Sequence, residues 1–126
     1  MSKLRHIAIL VSDPEATAIF FEQAFGMVRA GTARRGIYMS DGVMNVALLK
    51  VNAEKEKIGL FHYGVWVDDL DIAEKRLIAA GAEYVGGRPS SPNSFYEAKF
   101  RDPNGIIFDI THNGWAGAVK DPAPIK

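Results

Sequence analysis

Three histidines and no cysteine set the limits of the chemistry open to this 126-residue chain. Without thiols there is no disulfide, no thiolate ligand and no cysteine nucleophile, so any metal must be held by histidine and carboxylate. Two of the histidines open stretches of the same pattern, His6-Ile7-Ala8-Ile9-Leu10-Val11-Ser12-Asp13 and His62-Tyr63-Gly64-Val65-Trp66-Val67-Asp68-Asp69. A fixed offset of 56 residues carries His6 onto His62, Val11 onto Val67 and Asp13 onto Asp69. A third residue of interest is Asp109 in Ile106-Ile107-Phe108-Asp109-Ile110-Thr111. On a strand, Ile106, Phe108 and Ile110 share one face, and Asp109 shares the other with Ile107 and Thr111. A carboxylate in that setting is costly to bury alone and needs a cation, a hydrogen-bond network or a wet cleft. Two histidines and one carboxylate, one per strand, form a three-ligand set with open coordination positions. Such an open face can polarise a substrate oxygen, bind O2 or acidify a water. Plainer roles fit the same residues. A histidine at a strand start is more often a hydrogen-bonded structural residue, duplication copies such a residue as readily as a ligand, and an Asp among apolar neighbours can serve as a structural acceptor. Pattern alone leaves both readings open.

The elements that must position these residues follow from periodicity and punctuation. Residues 4–12 read as a strand with two largely apolar faces, which suits an interior strand. His6, Ala8 and Leu10 share one of those faces. Asp13-Pro14 is a helix start, with Asp as N-cap, Pro at the first position and Glu15 near the positive end. The helix should run to Phe25 and stop at Gly26, with Thr17, Phe21, Ala24 and Phe25 as its stripe. Strands are predicted over 27–30, 36–40 and 43–51, and Asp41-Gly42 signals a two-residue hairpin. The charged run 52–57 reads as a solvated connector. The plan then repeats: a strand at His62–Val67, a helix near 70–80 capped by Asp68 or Asp69 with Ala73, Leu77 and Ala80 as its stripe, and strands at 83–86, 95–101 and 106–111. Gly87–Ser94 is a loop by every local signal. Asp102-Pro103-Asn104-Gly105 is a turn.

The predicted order is therefore β-α-β-β-β twice, an α+β fold of two pseudo-symmetric modules rather than a solenoid. One domain is expected, with module 1 over about 4–51, a linker at 52–58, module 2 over about 59–111 and a tail at 112–126. Each sheet carries a helix on one face, and a cleft is expected where the inward faces meet. The formal charge is zero, which gives no electrostatic footprint for nucleic acid or anionic lipid. No apolar run is long enough to span a bilayer, and the N-terminus lacks a signal-peptide pattern. A cytoplasmic location and a small-molecule partner are the expectations.

The chain resembles the vicinal oxygen chelate superfamily, which includes glyoxalase I, extradiol dioxygenases, methylmalonyl-CoA epimerase and the fosfomycin- and bleomycin-resistance proteins. The carriers are Arg5–Asp13, then Phe20-Phe21-Glu22-Gln23-Ala24-Phe25-Gly26-Met27, then His62–Asp69, then Asp102-Pro103-Asn104-Gly105 leading to Asp109; together they span about residues 4–111. The resemblance implies paired βαβββ modules, an open eight-stranded cleft and a divalent metal. It implies the family's first-strand His at His6, its fifth-strand His at His62 and its last-strand carboxylate, usually Glu, at Asp109. Glyoxalase I has a fourth ligand, a Glu, whose position falls here on Val46 or Ala47, and neither binds metal. That absence argues against a true glyoxalase I and leaves a set like that of the extradiol dioxygenases and fosfomycin-resistance enzymes. The expectation is thus a metal-dependent enzyme, dioxygenase-like by a narrow margin, with Fe(II) or Mn(II) favoured over Zn(II) or Ni(II). A lyase, epimerase or thiol transferase on the same metal is the near alternative, and a non-catalytic binding or resistance protein the more distant one. The resemblance also implies a homodimer. Tyr38, Trp66, Arg88, Tyr96 and His112 are weaker candidates for a substrate pocket; aromatic residues on strands are more often core, and an arginine is by default exposed surface.

Overall fold

The computed structural model describes residues 2–87 and 98–112. Ten elements follow in order: β1 (Lys3–Val11), α1 (Pro14–Phe25), β2 (Val28–Ala33), β3 (Gly36–Ser40), β4 (Asn45–Lys50), β5 (Gly59–Trp66), α2 (Leu70–Ala79), β6 (Glu83–Gly86), β7 (Ala98–Arg101) and β8 (Ile107–Thr111). The eight strands form one mixed sheet in the order β2-β3-β4-β1-β5-β8-β7-β6. This is the expected pair of βαβββ modules, joined edge to edge by the antiparallel pairing of β1 with β5.

Both helices start as their sequences dictate. Asp13 caps α1 by accepting the Ala16 amide, and Asp69 caps α2 by accepting the Ile72 amide. Gly26 ends α1 in the left-handed conformation, φ 67°, where a side chain would be strained. The buried faces differ from the predicted stripes. Ala18 and Phe21 carry the contact of α1 with Val11, Met39, Val46 and Leu48, while Ala24 and Phe25 are exposed. Leu70, Ala73 and Leu77 carry that of α2 with Phe100, Phe108 and Ile110, and Ala80 is exposed. With Ile19, Phe20, Phe21 and Phe25 on one short helix, more than one face is apolar, and the geometry of the sheet chooses among them.

The hairpin between β3 and β4 is longer than the two-residue turn predicted at Asp41-Gly42. Ser40 pairs with Asn45, and the four intervening residues are held by Asp41, whose Oδ1 accepts the amides of Val43 and Met44. An Asx-type turn replaces the primed turn because the Asp side chain satisfies two amides at once. The Asp102–Gly105 turn is as predicted, with Asp102 Oδ1 accepting from Asn104 and Ile106. The predicted strand at 95–101 is observed from Ala98; its first residues and the 87–94 loop beyond Gly87 lie outside the described residues.

Core and cleft lie on opposite faces of the sheet. Residues of β1, β3 and β4 that meet α1, and residues of β5, β7 and β8 that meet α2, alternate with residues that point away from both helices. His6, His62 and Asp109 all belong to the second set. No helix among the described residues is long and apolar enough to cross a membrane.

Candidate metal centre

The three residues come from three adjacent strands of one chain, β1, β5 and β8. Two register facts assemble them. His6 on β1 lies opposite Gly64 on β5, and Gly64 in turn lies beside Asp109 on β8. Ala8 lies opposite His62. The 56-residue offset carries the pair His6–Gly64 onto the pair His62–Ala8, so the sequence repeat is a local pseudo-twofold relation across the β1/β5 seam.

Each histidine follows a β-bulge. The β1/β5 register skips Arg5 between Leu4 and His6, and skips Phe61 between Leu60 and His62. The same offset relates the two skipped residues. A bulge re-aims the side chain that follows it and leaves a backbone group to be satisfied. For His6 that group is the Arg5 carbonyl, which accepts from Asn45 Nδ2 at 2.9 Å. Asn45 sits beside His6 in the β1/β4 pairing and is 1% exposed. It is a buried amide assigned to holding the strand just before the histidine.

Gly64 makes room for the site. A Cβ built on it would fall within the His6 imidazole ring. Its backbone has no positive φ, so the glycine is required by space and not by conformation. The ring of His6 lies over the bare backbone of β5 and so faces the residue on the far side, Asp109.

The geometry is compact. Nε2 of His62 lies 2.8 Å from Asp109 Oδ2, and Nε2 of His6 lies 3.7 Å from the same oxygen. The two imidazole rings are edge to face with centroids 5.6 Å apart. Each residue offers one ligand atom such that the three lie within 4.8 Å of one another. All three side chains are buried, Asp109 completely. Burial holds the pKa of His6 below its ordinary value of 6.5, against an opposing pull from the Asp109 carboxylate. His6 is therefore a neutral imidazole at pH 7, the form that ligates.

The other oxygen of Asp109 has its own partner. Lys99, directly opposite on β7, brings Nζ to 2.7 Å from Oδ1. A row of polar or side-chain-free positions thus runs across six strands on the cleft face: Ser40, Asn45, His6, Gly64, Asp109 and Lys99. Asn45, Gly64 and Lys99 were not singled out from the sequence. Lys99 had a signal, since the Asp102–Gly105 turn fixes the hairpin register and places it across from Asp109. Gly64 had none beyond its small size.

The position corresponding to a fourth ligand is now settled. Ala8 pairs with Ala47 as Gly64 pairs with Asp109, so Ala47 is the pseudo-symmetric counterpart of the acid. Val46 pairs with Ile7 and packs on the α1 side. The cleft face carries a methyl group where the second module carries a carboxylate.

The weaker pocket candidates separate. Trp66 lies two residues beyond Gly64 on β5, beside Thr111, and its indole Nε1 donates to the His112 carbonyl at 2.9 Å. His112 thus adjoins the end of β8. Tyr38 shares a transverse row with Ala47, Ala8 and His62. Three strand spacings, roughly 14 Å, separate it from His62, which places it in the cleft and away from the three residues. Arg88 and Tyr96 lie outside the described residues.

The sequence model of the Glyoxalase/Bleomycin resistance protein/Dioxygenase superfamily matches residues 3–110. The chain belongs to this superfamily. Its fold recurs in solved members and neighbours. A hypothetical protein of Bacillus halodurans C-125 superposes with a TM-score of 0.70 at 14% identity, over 99% of each chain. Methylmalonyl-CoA epimerase from Mycobacterium tuberculosis gives 0.67 at 20% identity over 85% of each. The Mn(II)-bound glyoxalase from Novosphingobium aromaticivorans gives 0.69 at 19% identity, over 98% of this chain and 44% of that one. At these identities the likeness is one of fold. No curated protein sequence matches the chain. Within the superfamily, then, this chain is a member whose cleft holds a His-His-Asp group able to bind a metal.

Proposed function

We propose that the chain is a divalent-metal-dependent enzyme of the vicinal oxygen chelate type, acting on a small substrate that binds through its oxygens. His6, His62 and Asp109 would hold the ion. The observation that carries this reading is the convergence of three buried donors from three adjacent strands within 4.8 Å. Donors about 2.1 Å from one ion lie roughly 3 to 3.5 Å apart, and the separations of 2.8 and 3.7 Å straddle that range. The donor chemistry fits as well, since neutral imidazole and carboxylate suit first-row divalent metals. A bound ion supplies Lewis acidity toward substrate oxygens.

The chain's own residues do the rest. The buried Asp109 sets a negative charge under the two histidines. The bulges aim the rings, and the bare backbone of Gly64 lets His6 approach. Trp66 and Thr111 wall the cleft beside the group. Within this reading we favour a dioxygenase-like reaction with Fe(II) or Mn(II), because two histidines and one carboxylate with open positions match a facial triad and Ala47 withholds a fourth carboxylate. A lyase, epimerase or thiol transfer on the same metal is the second reading, supported by fold neighbours that are methylmalonyl-CoA epimerases and a Mn(II)-bound glyoxalase. A single functional unit over the whole chain, assembled as a cytoplasmic homodimer, is part of the same proposal.

Metal analysis of purified protein is the deciding test. The expected result is one divalent ion per chain, lost in His6→Ala. Protein that binds no divalent ion, with small-molecule binding untouched by His6→Ala, would instead make the cleft a non-catalytic binding site. Oxygen uptake with a catechol, against isomerisation of a hemithioacetal, separates the two chemistries. Light scattering reads the oligomeric state.

A further inference from the structure

The carboxylate of Asp109 is divided between two sets of neighbours. Oδ2 faces the histidines, 2.8 Å from His62 and 3.7 Å from His6, whereas Oδ1 takes the Lys99 ammonium at 2.7 Å. Lys99 and Asp109 are a directly opposed cross-strand pair on the cleft face of the β7–β8 hairpin. Asp109 is fully buried, but the Lys99 side chain keeps 42% of its exposure. Its charged end therefore stands between the buried acid and the solvent of the cleft. We propose that Lys99 is a specificity residue of this centre, placing beside Asp109 a second positive charge that selects anionic oxygen chelators.

This inference rests on the metal reading and goes one step beyond it. A lysine that merely neutralised a buried acid would be a structural partner only, and its loss would weaken everything the site binds. The geometry predicts something different, because the ammonium and a divalent ion would share one carboxylate. Two cations on one acid repel each other, so Lys99 holds the affinity for the metal down. A ligand that brings negative charge to the open positions relieves that repulsion and gains from both cations. Removing the charge should therefore strengthen metal binding and weaken anion binding.

Opposite signs make the test sharp. The full chain is titrated with Mn(II), and the Mn(II)-loaded protein is then titrated with oxalate, a dianion that presents two oxygens. Lys99→Met is expected to bind Mn(II) about tenfold more tightly and oxalate about tenfold more weakly than wild type. Lys99→Gln keeps a hydrogen-bond donor without the charge and should move both affinities the same way, which covers the case in which Lys99→Met folds poorly. Lys99→Arg should restore both. If the folded neutral variants lose affinity for Mn(II) and oxalate together, or change neither, this inference is overturned while the metal reading stands. A wild-type chain that takes up no Mn(II) or other divalent ion overturns both.

Discussion

Gly64 shows how much of this centre depends on one absent side chain. The His6 ring occupies the volume a Cβ would need, and the backbone at that point is one any residue adopts. Substitution is thus a pure test of packing. Gly64→Ala should displace His6, destabilise the fold by about 1–3 kcal/mol and lower the affinity for a divalent ion. Urea unfolding of the metal-free protein reads the first effect, and Mn(II) titration reads the second. The pseudo-symmetric change Ala8→Gly removes only a methyl beneath the other seam position and is the matched control. At this scale the sequence was partly legible. His6 and His62 could be picked out as candidates because their positions repeat, and Asp109 because a carboxylate is costly to bury among apolar residues. Gly64 and Asn45 could not, since each is ordinary on its own strand and gains its role from a residue on the neighbouring one.

Among the elements, the connector between the modules is held by charge as well as chain. Arg35, in the turn between β2 and β3, pairs with Glu56 and donates to the Lys50 carbonyl at 2.7 Å. Glu56 also accepts the Asn52 amide at 2.9 Å. The Arg35 hydrogen bond, and after it the backbone one, hold the Glu56 carboxyl below its ordinary value of 4.5. A depressed carboxylate contributes stability above its unfolded pKa and loses it as pH falls through the folded one. Melting temperature should therefore decline more steeply with acid below about pH 4.5 in wild type than in Glu56→Gln. Parallel acid slopes in the two proteins would dismiss this contribution. Helix starts and the Asp102–Gly105 turn were readable because capping and turn chemistry are local. The stripe of α1 and the length of the β3–β4 hairpin were not. The first depends on which apolar face the sheet meets, the second on whether Asp41 bonds its own loop.

Across the whole molecule, the seam between β1 and β5 is what makes a site. It brings the histidine of each module to the same face and sets Asp109 one strand farther on. Because the three donors come from both halves of the chain, an ion held by them would tie the halves together. Metal present at a hundredfold excess over its Kd should stabilise the protein by about 2.7 kcal/mol, raising the melting temperature, and a chelator should reverse the shift. His6→Ala should abolish the difference between the two conditions. A melting temperature indifferent to divalent ions at such concentrations would count against the site. The seam also carries the asymmetry of the centre. Symmetry places Ala47 where Asp109 has its carboxylate, so the duplicated halves contribute unequally.

The sequence by itself determined the module plan and the two helix starts, and it marked His6, His62 and Asp109 as candidate site residues. These follow from periodicity, capping and the cost of burying charge, all of which act within a few residues. Tertiary structure alone decided that the modules share one sheet, that the acid's counterpart is Ala47 rather than Val46, and that Gly64 lies beneath the His6 ring. Those facts are matters of register between strands far apart in the chain. Register is fixed by bulges and by hydrogen-bond pairing across the sheet, which no single strand encodes alone.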